Sequence, residues 1–171
     1  VVTLYIGVAG ASRPEPGLVE QAERLGRRLA EGGAVVICGG GPGVMEAVCR
    51  GAQAAGGTTV GLLPGLDRAE GNPYLTVALP TGLDQGRNLL LVRSSDALVA
   101  VGGGFGTLSE IALALRTGTP VVGLATWSLQ LDSRAVDAFP VADDPDAAAD
   151  MVLEAARNRR TGEAGPPPEG S

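Results

Sequence analysis

The run Gly102-Gly103-Gly104-Phe105-Gly106-Thr107-Leu108-Ser109-Glu110 is where this chain could most readily do chemistry. It follows the apolar stretch Asp96–Val101, which reads as a buried strand. It opens a helix that carries Leu108, Ile111, Ala112 and Leu115 on one face. A glycine turn between strand and helix presents main-chain N–H groups at the positive end of a helix dipole, a seat for a phosphate. Gly103, Gly104, Phe105, Gly106 and Thr107 would line that seat. Glu110 stands one turn in, on the side of Thr107. An anion seat and a candidate catalytic carboxyl therefore fall within nine residues.

Two more glycine-rich turns follow predicted strands. Gly10 and Ser12 lie in the first, where a hydroxyl and nearby amides could hold a phosphate or ribose as well as simply connect strand to helix. The second holds Gly40, Gly41 and Gly43, then Met45 and Glu46. Its Gly-x-Gly-x-Gly spacing is not the dinucleotide fingerprint, which needs Gly-x-Gly-x-x-Gly after the first strand, so NAD and FAD are disfavoured. Glu46 either touches a ligand or satisfies the start of its helix. Arg87 lies near the N-terminus of the helix carrying Leu89–Val92, where a cation is unfavourable. A ligand anion or a partner carboxylate would account for it, as would a surface position or an ion pair with Asp84. Arg93 reads as a structural ion pair or an oligomer contact.

Composition removes whole classes of chemistry. There is no histidine, which excludes a Ser-His-Asp triad, a His-ligated metal and a His general base. All 13 basic side chains are arginines, so neither a pyridoxal Schiff base nor a P-loop lysine is available. No metal-ligating set is read. A net charge of −6 argues against nucleic acid as a partner. No segment is apolar and long enough to span a membrane, and the N-terminal stretch lacks a signal-peptide pattern, so a cytoplasmic location is expected. Cys38 and Cys49 read as buried thiols rather than a disulfide or metal pair.

The elements that must position these residues alternate. Strands are expected at 4–8, 34–38, 58–62, 75–79, 96–101, 120–124 and 136–140. Helices are expected from about Pro16 to Gly32, and over 44–55, 82–94, 106–117 and 144–157. Residues 127–134 read as a loop that is partly helical. Strands apolar on both faces between helices predict an α/β fold: a single doubly wound Rossmann-like domain over 1–157, its sheet mostly parallel with helices on both faces. Residues 158–171, with their proline run, read as a disordered tail. Ligands in such sheets bind at the carboxyl ends of the strands, where all three glycine turns fall.

Gly39–Met45, Arg87 and Gly103–Glu110, taken together and in this order, resemble the LONELY GUY (LOG) superfamily, historically mislabelled lysine decarboxylase. The resemblance covers roughly residues 3–125. It implies a Rossmann-like homodimer or larger homo-oligomer. Its hydrolase branch cleaves the N-glycosidic bond of nucleoside 5′-monophosphates, AMP or cytokinin nucleotides, to free base and ribose 5-phosphate. Arg87 and Glu110 match that branch's catalytic pair, and Gly103, Gly104, Gly106 and Thr107 its phosphate loop. Gly102 stands where the branch motif has Pro, and Asn88 where Lys commonly follows the Arg. The wording around Asn88 and the run Glu110–Leu115 is closer to the molybdenum-cofactor-carrier-like branch. The resemblance thus implies a small phosphorylated ligand, a nucleoside monophosphate or a pterin cofactor. Hydrolysis would require no cofactor, whereas a carrier would hold the molybdenum cofactor, or Mg²⁺ with its ligand.

Overall fold

Along β5 (Ala97–Val101) the side chains alternate between two cores. Ala97, Val99 and Val101 enter one, and Leu98 and Ala100 the other. A strand buried on both faces needs a layer on each side, and a parallel sheet with crossover helices supplies both. The computed structural model, which describes residues 2–163, has this three-layer architecture.

The chain runs β1 (Tyr5–Gly10), α1 (Pro16–Glu31), β2 (Val35–Cys38), α2 (Val44–Ala54), β3 (Thr59–Leu63) and β4 (Val77–Pro80). It continues through α3 (Arg87–Arg93), β5, α4 (Phe105–Thr117) and β6 (Val121–Leu124). A hairpin of β7 (Leu129–Leu131) and β8 (Arg134–Val136) precedes β9 (Val141–Ala142) and α5 (Pro145–Thr161). Seven strands form one sheet in the order β4-β3-β2-β1-β5-β6-β9, every pair parallel. From β1 the chain steps outward to β4, then returns to the other side of β1 at β5. The β1/β5 boundary is therefore the switch point, where crossovers diverge and a crevice opens at the strand ends. Helices α1, α2 and α5 cover one face, and α3 and α4 the other.

The expected α/β class and parallel sheet hold, with local corrections. Residues 127–134 are not partly helical: they include β7 and the start of an antiparallel hairpin. Asp132 and Ser133 turn it with φ of 50° and 61°, the primed-turn conformation that two-residue hairpins favour. The strand expected at 136–140 is instead β9 at Val141–Ala142, because Val136 is taken by the hairpin and Pro140 has no N–H to pair. The helix expected over 82–94 begins only at Arg87, after a 3₁₀ turn at Asp84–Gly86. Gly82 at φ 63° and Asp84 at φ 48° cannot enter it. The last helix runs four residues beyond 157, to Thr161, and stops at Gly162 with φ 79°. Residues 164–171 of the expected tail lie outside the described residues. Among the described residues no helix is long and apolar enough to cross a membrane.

Candidate functional site

The sheet order sets β2, β1 and β5 side by side, so their three glycine turns meet at one edge. Main-chain bonds lock them together. Ala11 N–H donates to the Val101 carbonyl at 3.3 Å, and Val44 N–H to the Ala11 carbonyl at 3.0 Å. Gly102 sits at φ 70° and leads β5 into the turn. That region favours glycine and is closed to proline, whose ring fixes φ near −65°. Gly10 and Gly43 serve the fit between turns: a Cβ on Gly10 would overlap Val44, and one on Gly43 would come 2.5 Å from the Ala11 and Ser12 carbonyls. Ser12 itself is exposed.

Helix α4 starts at this edge without a cap. Gly104 is its N-cap residue, no side chain caps it, and no acid stands in its first turn. The first α-helical bond there is Leu108 N–H to the Gly104 carbonyl, 3.0 Å. The preceding amides of the first turn have no intrahelical acceptor and are free for an anion. Thr107 is buried. Helix α2 also starts uncapped, at Gly43. By contrast Asp144 caps α5, accepting from Ala147 N–H at 2.9 Å.

Three residues that the sequence reading did not single out hold the turns. Asn72 donates its N–H to the Gly40 carbonyl at 2.8 Å and its Nδ2 to the Gly41 carbonyl at 3.1 Å. Thr126 Oγ1 donates to the Gly102 carbonyl, and Trp127 Nε1 to the Gly104 carbonyl at 3.3 Å. Asn72-Pro73 has turn chemistry that hints at such a role. Nothing local marks Thr126 or Trp127.

Arg87 finds neither the carboxylate nor the Asp84 ion pair considered for it. Its Nη1 donates to the Gly39 carbonyl at 2.6 Å and the Leu62 carbonyl at 2.8 Å, pinning the ends of β2 and β3. A Cβ on Gly39 would overlap the guanidinium, so glycine there leaves room for this close approach. The Arg87 Nε is buried and has no partner among the described residues. Next to it, buried Asn88 donates Nδ2 to Ser109 Oγ at 3.0 Å. This bond joins the starts of α3 and α4, bringing Arg87 and Glu110 into electrostatic range. No ion pair joins them among the described residues.

Glu110 is 8% exposed, and its carboxyl accepts no side-chain hydrogen bond from a described residue. Burial pushes it up from its ordinary 4.5 to about 7, against the opposing pull of Arg87. A carboxyl so poised exchanges protons near neutral pH. Met45 leans on Gly41, and Glu46 is half-buried in the first turn of α2. Cys38 and Cys49 are buried free thiols 3.5 Å apart, and Gly40 N–H donates to the Cys38 sulfur. Arg93 is exposed.

A family model described as the SLOG cluster4 family matches residues 3–153. The molybdenum cofactor binding protein of Rippkaea orientalis superposes with a TM-score of 0.79 at 32% identity, over 90% of this chain and 97% of that one. The molybdenum cofactor carrier protein of Chlamydomonas reinhardtii gives 0.79 at 34% identity, over 90% and 99%. A rice protein (Oryza sativa subsp. japonica) called "Probable cytokinin riboside 5′-monophosphate phosphoribohydrolase LOGL5" is 37% identical over 93 residues. That match spans 53% of this chain and 38% of the rice protein.

Proposed function

The chain belongs to the SLOG cluster4 family, and we propose that within it this protein is a nucleoside 5′-monophosphate phosphoribohydrolase. Glu110 carries the reading. A carboxyl that is 8% exposed and accepts no hydrogen bond from a described side chain loses solvation when it ionises and is costly to keep, and its sign is wrong for merely holding an anion. It is useful where positive charge develops, as on the ribosyl ring when an N-glycosidic bond breaks.

The open amides of Gly104–Thr107 and the Thr107 hydroxyl hold the 5′-phosphate, with the Gly10–Ser12 and Gly40–Gly43 turns beside it. As the C1′–N bond breaks, its electron pair leaves on the base nitrogen. Water adds to C1′ and gives a proton to the Glu110 carboxylate, and the departing base takes a proton from solvent. Arg87 favours the ionised form of Glu110 and braces the turn at Gly39. No step calls for a metal or cofactor. The decisive assay is release of free base from AMP, followed by chromatography. Wild type yields adenine and ribose 5-phosphate, and Glu110→Gln yields neither. Equal turnover by the variant would end the proposal.

One observation favours a second reading, a carrier for a phosphorylated pterin. Gly102 adopts a φ of 70° that the hydrolase motif's proline cannot take, so the loop enters by a path of its own. The molybdenum cofactor fits this site at its phosphate end, through the same open amides. Among the described residues no cluster of three His, Cys, Asp or Glu could hold a metal, so such cargo would be gripped by its organic part. Tight binding of a pterin phosphate without base release from any nucleotide would establish the carrier. Under either reading the protein works as a homo-oligomer. Helix α3 leaves Leu89 and Leu90 exposed, an apolar surface suited to a second copy.

A further inference from the structure

We propose that Phe105 and Trp127 form a stacking platform for the planar heterocycle of the ligand, so that the site prefers fused-ring heteroaromatic phosphates to plain sugar phosphates. The inference rests on the reading of residues 102–107 as a phosphate seat and extends it to the other end of the ligand.

Phe105 is the first residue of α4, set between Gly104 and Gly106, whose amides belong to the seat. The residue is 84% exposed, although an apolar ring gains by being covered. The ring is not loose on the surface. It stacks on Trp127 with centroids 6.0 Å apart and planes 30° from parallel. Trp127 is half-buried, packs against the core under α3 and α4, and is rooted in the same loop by its bond to the Gly104 carbonyl. Its indole also lies against Gly103, where a Cβ would come 3.5 Å from Nε1. One face of Phe105 thus has a fixed aromatic backing, while the ring as a whole remains open to solvent. The 6.0 Å spacing is that of a direct aromatic pair. A ligand ring therefore adds to the free face of Phe105 rather than slipping between the two.

Stacking tolerates any flat π-system, so purine and pterin rings share the chemistry that would be recognised. A sugar phosphate offers only the anion. The platform would thus hold the ring while the amides one residue away hold the phosphate.

Trp127 is the sole tryptophan, so its fluorescence reports on the platform directly. Full-length protein in the Glu110→Gln background, which leaves AMP intact, is titrated with AMP, neopterin monophosphate, ribose 5-phosphate and inorganic phosphate. Fluorescence and calorimetry are read in parallel. AMP or neopterin monophosphate should perturb the tryptophan emission strongly, whereas ribose 5-phosphate binds with little change. Phe105→Ala removes the ring but keeps the main-chain amide, so it should weaken the heteroaromatic phosphates about tenfold and ribose 5-phosphate far less. The stronger of the two ring ligands identifies the source. Phe105 is exposed, so the variant keeps its fold. Unchanged AMP and neopterin monophosphate affinity in Phe105→Ala, with phosphate binding intact, overturns the platform alone. If no phosphate compound binds the parent protein, the phosphate seat fails and the platform with it.

Discussion

Replacing Glu110 by Gln should make the protein more stable at alkaline pH and leave it nearly unchanged in acid. The unfolded carboxyl titrates near its ordinary 4.5, the folded one near 7. Below the lower value both states are protonated, and Glu110 behaves as a neutral group. Between the two values the folded state retains a proton that the unfolded state has lost, so stability falls as pH rises. Above 7 the folded carboxyl is ionised, and the full penalty of burying it is present. At about 1.4 kcal/mol per tenfold, the interval corresponds to roughly 3 kcal/mol. For a domain of this length that is about 6–12 °C in melting temperature. The window is clean because there is no histidine to titrate within it. Other groups are common to both proteins and cancel in the difference. Thermal melts of wild type and Glu110→Gln, taken every half unit from pH 4.5 to 8.5, give the curve. The difference should grow with pH in favour of Gln and level off above 7. A difference flat across the range would refute the claim that burial perturbs this carboxyl, and with it the acid–base role.

Arg87→Ala leaves the Gly39 and Leu62 carbonyls without their charged donor and should cost about 2–4 kcal/mol in denaturant melts. It also removes the cation that opposes burial at Glu110, so the ionisation limb of the pH–rate profile should move to higher pH. Gly26→Ala and Gly51→Ala should each destabilise by about 3 kcal/mol or more. A Cβ on Gly26 would overlap the Val48 carbonyl, and one on Gly51 the Glu23 carbonyl, so main chain rather than a yielding side chain resists. Urea unfolding would check both. Arg159 donates to the Ser95 and Asp96 carbonyls and to Thr119, tying α5 under the sheet. Arg159→Ala should cost about 2–3 kcal/mol by the same assay, whereas a residue in a disordered tail would cost nothing.

That last contrast shows where the sequence was legible and where it was not. Strands such as Ala97–Val101 announce themselves because they are apolar on both faces, and glycine turns mark their ends. The hairpin at Leu129–Val136 does not, since Asp132 and Ser133 reach positive φ without the glycine that usually signals it. The end of α5 is not legible, because Asn158–Thr161 looks like the start of a polar tail, and only the fold shows Arg159 with acceptors. In the site the glycines were readable, because their conformation is a local property. The partners of Arg87 were not. They are main-chain carbonyls at the ends of β2 and β3, and no side-chain pattern encodes a carbonyl.

The absences in the composition bear on the site's chemistry more than any single motif. Without His or Lys, acid–base work near neutral pH needs a displaced carboxyl or thiol. Cys38 and Cys49 lie buried beneath the second turn, hydrogen-bonded to one another, and Cys38 is held well above the ordinary thiol range by its neighbour and by burial. A group enclosed in this way exchanges no proton with a ligand. Glu110 is displaced in the useful direction, and it stands one turn inside the helix whose open start faces the strand ends. The proposed anion seat is built from backbone amides, which need no particular side chain and no titration. On the proposed reading the work is divided: the main chain holds the phosphate, and one carboxyl is left to act. It follows that variants of the glycine turns should raise KM far more than they lower kcat, whereas Glu110→Gln should do the reverse.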